Sequence, residues 1–75
     1  MKCNLEELFP KISNLCDNFS DGKYVYRAFY DDNMIYIYCY NLINRYFSEA
    51  SINEHYIYNG NDELIDILQY LKGGE

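Results

Sequence analysis

Apolar residues near the start of the chain recur in steps of three and four: Leu5, Leu8, Phe9, Ile12, Leu15, Cys16 and Phe19. That spacing predicts an amphipathic helix within residues 5–19. Asn4, with Glu7 three positions later, resembles the box that caps a helix start. Pro10 conflicts with a helix beginning there, because it lacks the N–H that an interior turn uses. Either the helix kinks at Pro10, or a short turn precedes a helix that starts at Pro10 and runs over 10–19; the second is the expectation. Ser20-Asp21-Gly22 then ends the helix, with Gly22 as its left-handed cap.

The period changes at Lys23. Residues 23–30 and 34–40 read as two strands joined through Asp31-Asp32-Asn33. Register decides which side chains share a face, since one residue of slip exchanges the faces. A two-residue loop at Asp32-Asn33 pairs Phe29 with Tyr36 and mixes apolar residues with tyrosines. A three-residue loop, with Asn33 left-handed in a bulge, pairs Tyr30 with Met34 and Phe29 with Ile35. It places Val25, Phe29, Ile35, Ile37 and Cys39 on one face and Tyr24, Tyr26, Tyr30, Tyr36, Tyr38 and Tyr40 on the other. That segregation makes the three-residue loop the expected one.

Residues 41–52 fit two patterns. Leu42, Ile43, Tyr46, Phe47 and Ala50 have helical spacing, and 45–50 also suits a third strand of a meander. Their weak helix formers favour the strand. His55 to Tyr58 reads as a last short strand. After Asn59-Gly60, a helix is predicted with Asn61 as cap, Asp62 and Glu63 in its first turn, and Leu64, Ile65, Leu68 and Leu71 as its buried stripe. Lys72 and Gly73 suit its end as a last-turn cation and a left-handed cap. The predicted class is α+β: an N-terminal helix, an antiparallel meander of three to four strands and a C-terminal helix, in one compact domain over 1–75.

Composition narrows the function classes. A chain of 75 residues holds one core. No apolar run approaches the roughly 18 residues of a membrane helix. Acidic residues and Pro10 interrupt the N-terminus too early for a signal peptide, so a cytoplasmic protein is expected. Three cysteines, Cys3, Cys16 and Cys39, are an odd number at spacings that match no zinc pattern. They read as reduced thiols, with Cys16 and Cys39 packed as small hydrophobes. Twelve acids against six Lys+Arg give a net charge of −6. Such a domain repels phosphate backbones and is drawn to basic surfaces.

Catalytic patterns are sparse. His55 is the single histidine, and its neighbours Glu54 and Tyr56 form no triad with a nucleophile in an elbow context. Gly22 and Gly60 are isolated, which excludes a phosphate-binding loop. Asp31-Asp32-Asn33 offers too few oxygens for Ca²⁺ and is explained as a turn. A non-enzyme without cofactor or metal is expected.

Ten tyrosines are the strongest compositional signal. Tyr suits strands structurally, and it also suits interfaces, with an apolar ring, a polar tip and little entropy to lose. Two short helices cover one face of a small sheet, which leaves the other open. The expected partner-binding residues are therefore Tyr24, Tyr26, Tyr30, Tyr36, Tyr38 and Tyr40, with Asp31, Asp32, Glu49 and Glu54 steering a basic protein. In size, acidity and the helix–sheet–helix layout of residues 9–19, 23–58 and 62–72, the chain resembles the small acidic inhibitors with which phages disable host defences, anti-CRISPR proteins among them. The resemblance is one of class, without a shared motif. It implies a nucleic-acid-handling protein as target, in the host cytoplasm, with no direct nucleic-acid or membrane contact. Two alternatives stand beside it: a homodimeric structural or immunity-type module using the Tyr face, and a single-stranded RNA binder that stacks bases on Tyr rings. The second has only six cations to offer phosphates.

Overall fold

The computed structural model describes residues 3–73. Helix α1 (Leu5–Phe19) leads into strands β1 (Tyr24–Asp31), β2 (Met34–Asn41) and β3 (Phe47–Asn53), and helix α2 (Asn61–Gly73) follows. The strands form one antiparallel sheet in the order β1-β2-β3. This is the predicted α+β architecture with three strands. Both helices lie on one face of the sheet, α1 against β1 and α2 against β2 and β3.

α1 begins at Leu5, not at Pro10. Asn4 caps it, its side-chain Oδ1 accepting from the N–H groups of Glu6 and Glu7 at 3.1 and 3.3 Å. Pro10 sits inside the helix with its ring exposed. The cap and the buried stripe of Leu5, Leu8, Ile12 and Cys16 hold the first turn despite the missing donor. The helix ends on Ser20, in extended conformation, rather than on a left-handed Gly22. Ser20 donates from both its backbone N–H and its hydroxyl to the Cys16 carbonyl, at 3.0 and 2.8 Å. That closes the end without glycine. Gly73 is likewise not left-handed: α2 runs through it, and Gly60, with φ 105°, is the one described glycine in that region.

The hairpin departs from the expected register. Asp31 pairs with Met34, leaving a two-residue loop, and Phe29 pairs with Tyr36. Asp32 and Asn33 have φ of 50° and 61°, the left-handed pair whose twist matches the flanking strands. Tyr24, Tyr26, Ala28 and Tyr30 therefore lie on the helix side, level with Ile35, Ile37 and Cys39. Val25 and Phe29 move to the open face beside Tyr36, Tyr38 and Tyr40. Residues 42–46 form a turn, with Arg45 at φ 63°, and the ambiguous segment resolves as strand β3. Buried Asn41 organises that turn: its Oδ1 accepts from the N–H groups of Ile43 and Asn44 at 2.9 and 3.3 Å. His55 to Tyr58 is not a fourth strand.

The core is a single layer between sheet and helices. It joins Leu5, Leu8, Ile12 and Cys16 of α1, Leu64, Leu68 and Leu71 of α2, and Tyr24, Tyr26, Ile35, Ile37, Cys39 and Ile52 of the sheet. Tyr26 is the largest of the fully buried side chains. Its hydroxyl donates to the Leu68 carbonyl at 3.1 Å, so a polar tip is satisfied inside the core and strand β1 is tied to α2.

Candidate functional site

The uncovered sheet face follows from strand alternation. In β1 the outward positions are Val25, Arg27, Phe29 and Asp31; in β2, Met34, Tyr36, Tyr38 and Tyr40; in β3, Phe47, Glu49, Ser51 and Asn53. Three rings cross the sheet diagonally. Phe29 meets Tyr38 edge-on at 5.7 Å between centroids, and Tyr38 meets Phe47 at 6.5 Å. Phe29 and Phe47 remain 54% and 64% exposed, which is high for phenylalanine in a strand. Tyr36, Tyr38 and Tyr40 are half-buried by one another and by their neighbours. Loss of hydration, and the Glu49 carboxylate opposite, push the Tyr38 hydroxyl above its ordinary pKa.

Charge is distributed by end. The hairpin tip, the end of β3 and the starts of both helices meet at one end of the sheet. Met34 pairs with Asn53, the Cys3 N–H donates to the Glu54 carbonyl at 2.7 Å, and the Tyr56 hydroxyl donates to Glu63 Oε2 at 3.1 Å. That end carries Glu6, Glu7, Asp31, Asp32, Glu54, Asp62 and Glu63, seven of the chain's twelve acids. Lys23, Arg45 and Lys72 lie at the other end, where Lys23 and Lys72 both sit over the Tyr24 ring at 5.2 and 5.1 Å. Lys11 is the described cation on the acidic side, at 5.0 Å over the Tyr58 ring. On the open face itself, Arg27 shares a cross-strand row with Glu49, Tyr38 lying between them, and Asp31 follows four positions along β1.

The ten expected contact residues are thus divided. Tyr36, Tyr38, Tyr40, Asp31 and Glu49 share the open face, with Asp32 at the adjoining tip and Glu54 at the same end. Tyr24 and Tyr26 are core residues, 4% and 2% exposed. Tyr30 is on the helix side, its ring 6.1 Å from that of Phe9. Phe29 and Phe47 were not among the expected contacts, yet they are the most exposed rings of the face. The parity of a two-residue turn is the signal that finds Phe29.

Two other features bear on chemistry, a groove and a pair of buried thiols. A groove of about 330 Å³ lies between the start of α1 and residues 56–58, lined by Cys3, Glu7, Leu8, Lys11, Tyr56 and Ile57 among others. Its tyrosine at 56 is pushed up to about 12, by burial first and then by Glu63. Cys16 and Cys39 are buried thiols, and burial raises both, Cys16 to about 11. A thiol held protonated is a poor nucleophile. Among the described residues no group of three metal-ligating side chains converges, and no helix is long and apolar enough to cross a membrane. Comparison with protein-family models, with curated proteins and with solved structures finds no match.

Proposed function

We propose that this chain is a non-catalytic binding module. Its open sheet face and acidic end dock on a basic, nucleic-acid-handling protein and inhibit it. The observation that carries the reading is the uncovered diagonal Phe29–Tyr38–Phe47, continuous with an end that holds most of the acids. Exposed aromatic rings supply contact area at little entropic cost, and like charges at one end orient the encounter. Among the described residues Arg27 is the single cation on that face, which disfavours a nucleic-acid strand there, since phosphate affinity is built from several cations.

The test is capture from a host-cell extract on the immobilised chain, at low and high salt, with Phe47→Ser/Tyr40→Ser as the comparison. Both positions lie on the open face and outside the helix-side core, so circular dichroism should be unchanged. A basic protein retained by the parent chain, released by salt and lost by the double variant is the expected result. Equal retention by a folded double variant, or recovery of RNA without protein, overturns the proposal.

A further inference from the structure

The outer edge of β1 is finished differently along its length. At the start of the strand the outward backbone groups are paired. The Asp21 N–H donates to the Tyr24 carbonyl, and the Tyr24 N–H to Asp21 Oδ1, both at 2.8 Å. The Tyr26 N–H donates to Ser20 Oγ at 2.8 Å. Because β1 pairs with β2 without a bulge, every second residue faces the same way. The N–H and C=O groups of Ala28 and Tyr30 therefore also point away from β2. Nothing among the described residues bonds them.

An open groove of about 690 Å³ lies along that stretch. It is walled by Phe9, Phe29, Tyr30, Tyr36 and Tyr38, with Asp31 among its lining residues. Aromatic walls beside a carboxylate attract a cation through both ring faces and charge. The molecule already uses the first of these internally, with Lys11, Lys23 and Lys72 over tyrosine rings. Among the described residues no cation lies over the groove's rings.

We propose that the Ala28–Tyr30 edge of β1 receives an extended, arginine-containing segment of the partner as an added antiparallel strand. The partner's arginine lies in the groove between Phe29 and Asp31. The added strand pairs with the free backbone groups of Ala28 and Tyr30. A residue opposite Phe29 directs its side chain to the open face, where Phe29, Tyr36 and Asp31 are. The inference rests on the binding role proposed above and adds where and how the partner is held. The count of rings selects this edge over that of β3: the groove beside Glu49 is lined by one ring, Tyr70, against the five that wall the Ala28–Tyr30 stretch next to Asp31.

The probe is a capped pentapeptide of alternating threonine and valine with arginine at its centre. It is titrated into the ¹⁵N-labelled chain, with a glutamate-centred peptide as control. Saturable shifts are expected at the amides of Ala28, Tyr30 and Asp31. Asp31→Asn, and Ala28→Pro, which removes only an outward donor, should each weaken binding by about tenfold. If Ala28→Pro does not fold, the same peptide methylated at its central nitrogens replaces it and should lose binding equally. Shifts centred on Glu49 and Ser51, equal binding of the glutamate peptide, or no shift at millimolar arginine peptide overturn the inference. Partner capture that persists in Asp31→Asn and is lost in Phe47→Ser/Tyr40→Ser would sink the edge site alone and leave the binding module standing.

Discussion

At the scale of single residues, tyrosine does two jobs in this chain, and burial separates them. Tyr24 and Tyr26 belong to the core, whereas Tyr36, Tyr38 and Tyr40 belong to the open face. The buried hydroxyl of Tyr26 bonds Leu68 and is also coupled to the Cys39 thiol. Tyr26→Phe removes that bond with little change of shape and should lower stability by about 1 kcal/mol, read as a shift of the urea midpoint. Proton linkage provides a second check. Burial raises the Cys16 thiol from an ordinary 9.0 to about 11, and Cys39, Tyr26 and Tyr56 are raised as well. Above the ordinary value the unfolded chain releases its proton while the folded chain retains it, so the unfolded state binds fewer protons and stability falls as pH rises. For Cys16 the contribution is fully present below pH 9.0 and is lost up to about pH 11. Urea midpoints should decline across this window, and Cys16→Ala should decline less steeply. A parallel decline in both would assign the slope to the tyrosines and Cys39.

At the scale of elements, α1 is a helix that forms against its own propensity. Pro10 removes a donor, and the chain accepts this because Asn4 caps the start and four apolar side chains fill the core. Pro10→Ala should then stabilise the protein by about 1–3 kcal/mol, visible as a higher midpoint with an unchanged m-value. The spacing of Leu5, Leu8, Ile12 and Cys16 made the helix legible, but a rule about one residue pulled its expected start to position 10. α2 and both strands of the hairpin were legible for the same reason, a sustained period. The faces of β1 were not. Segregating apolar residues from tyrosines is a sound principle only if tyrosine stays out of the core, and here Tyr24 and Tyr26 enter it because rings and hydroxyls find partners there. Turn geometry decided the register instead, through the left-handed pair Asp32 and Asn33. In the candidate site, Tyr36, Tyr38 and Tyr40 were found because β2 alternates cleanly. Phe29 was missed with the β1 register, and Phe47 because residues 41–52 fitted both helix and strand, which assigned it no face.

At the scale of the whole molecule, shape and charge reinforce each other. The described residues extend 40 × 24 × 18 Å, and acids gather at the end where both helices begin. Repulsion among them opposes folding at low ionic strength and is screened within about 10 Å at 0.1 M salt. Raising sodium chloride from about 10 mM to about 300 mM should therefore raise the melting temperature by a few degrees in calorimetry. A fall would mean that the lysine–tyrosine contacts outweigh the repulsion. Ser20, finally, couples two parts of this small body. Its one hydroxyl caps α1 and receives the Tyr26 amide at the sheet's margin. A fraying helix terminus must release that amide as well, so the two loosen together. Deuterium should enter at Ala28, two positions along the same margin, well before it enters at Tyr26, and Ser20→Ala should erase the difference.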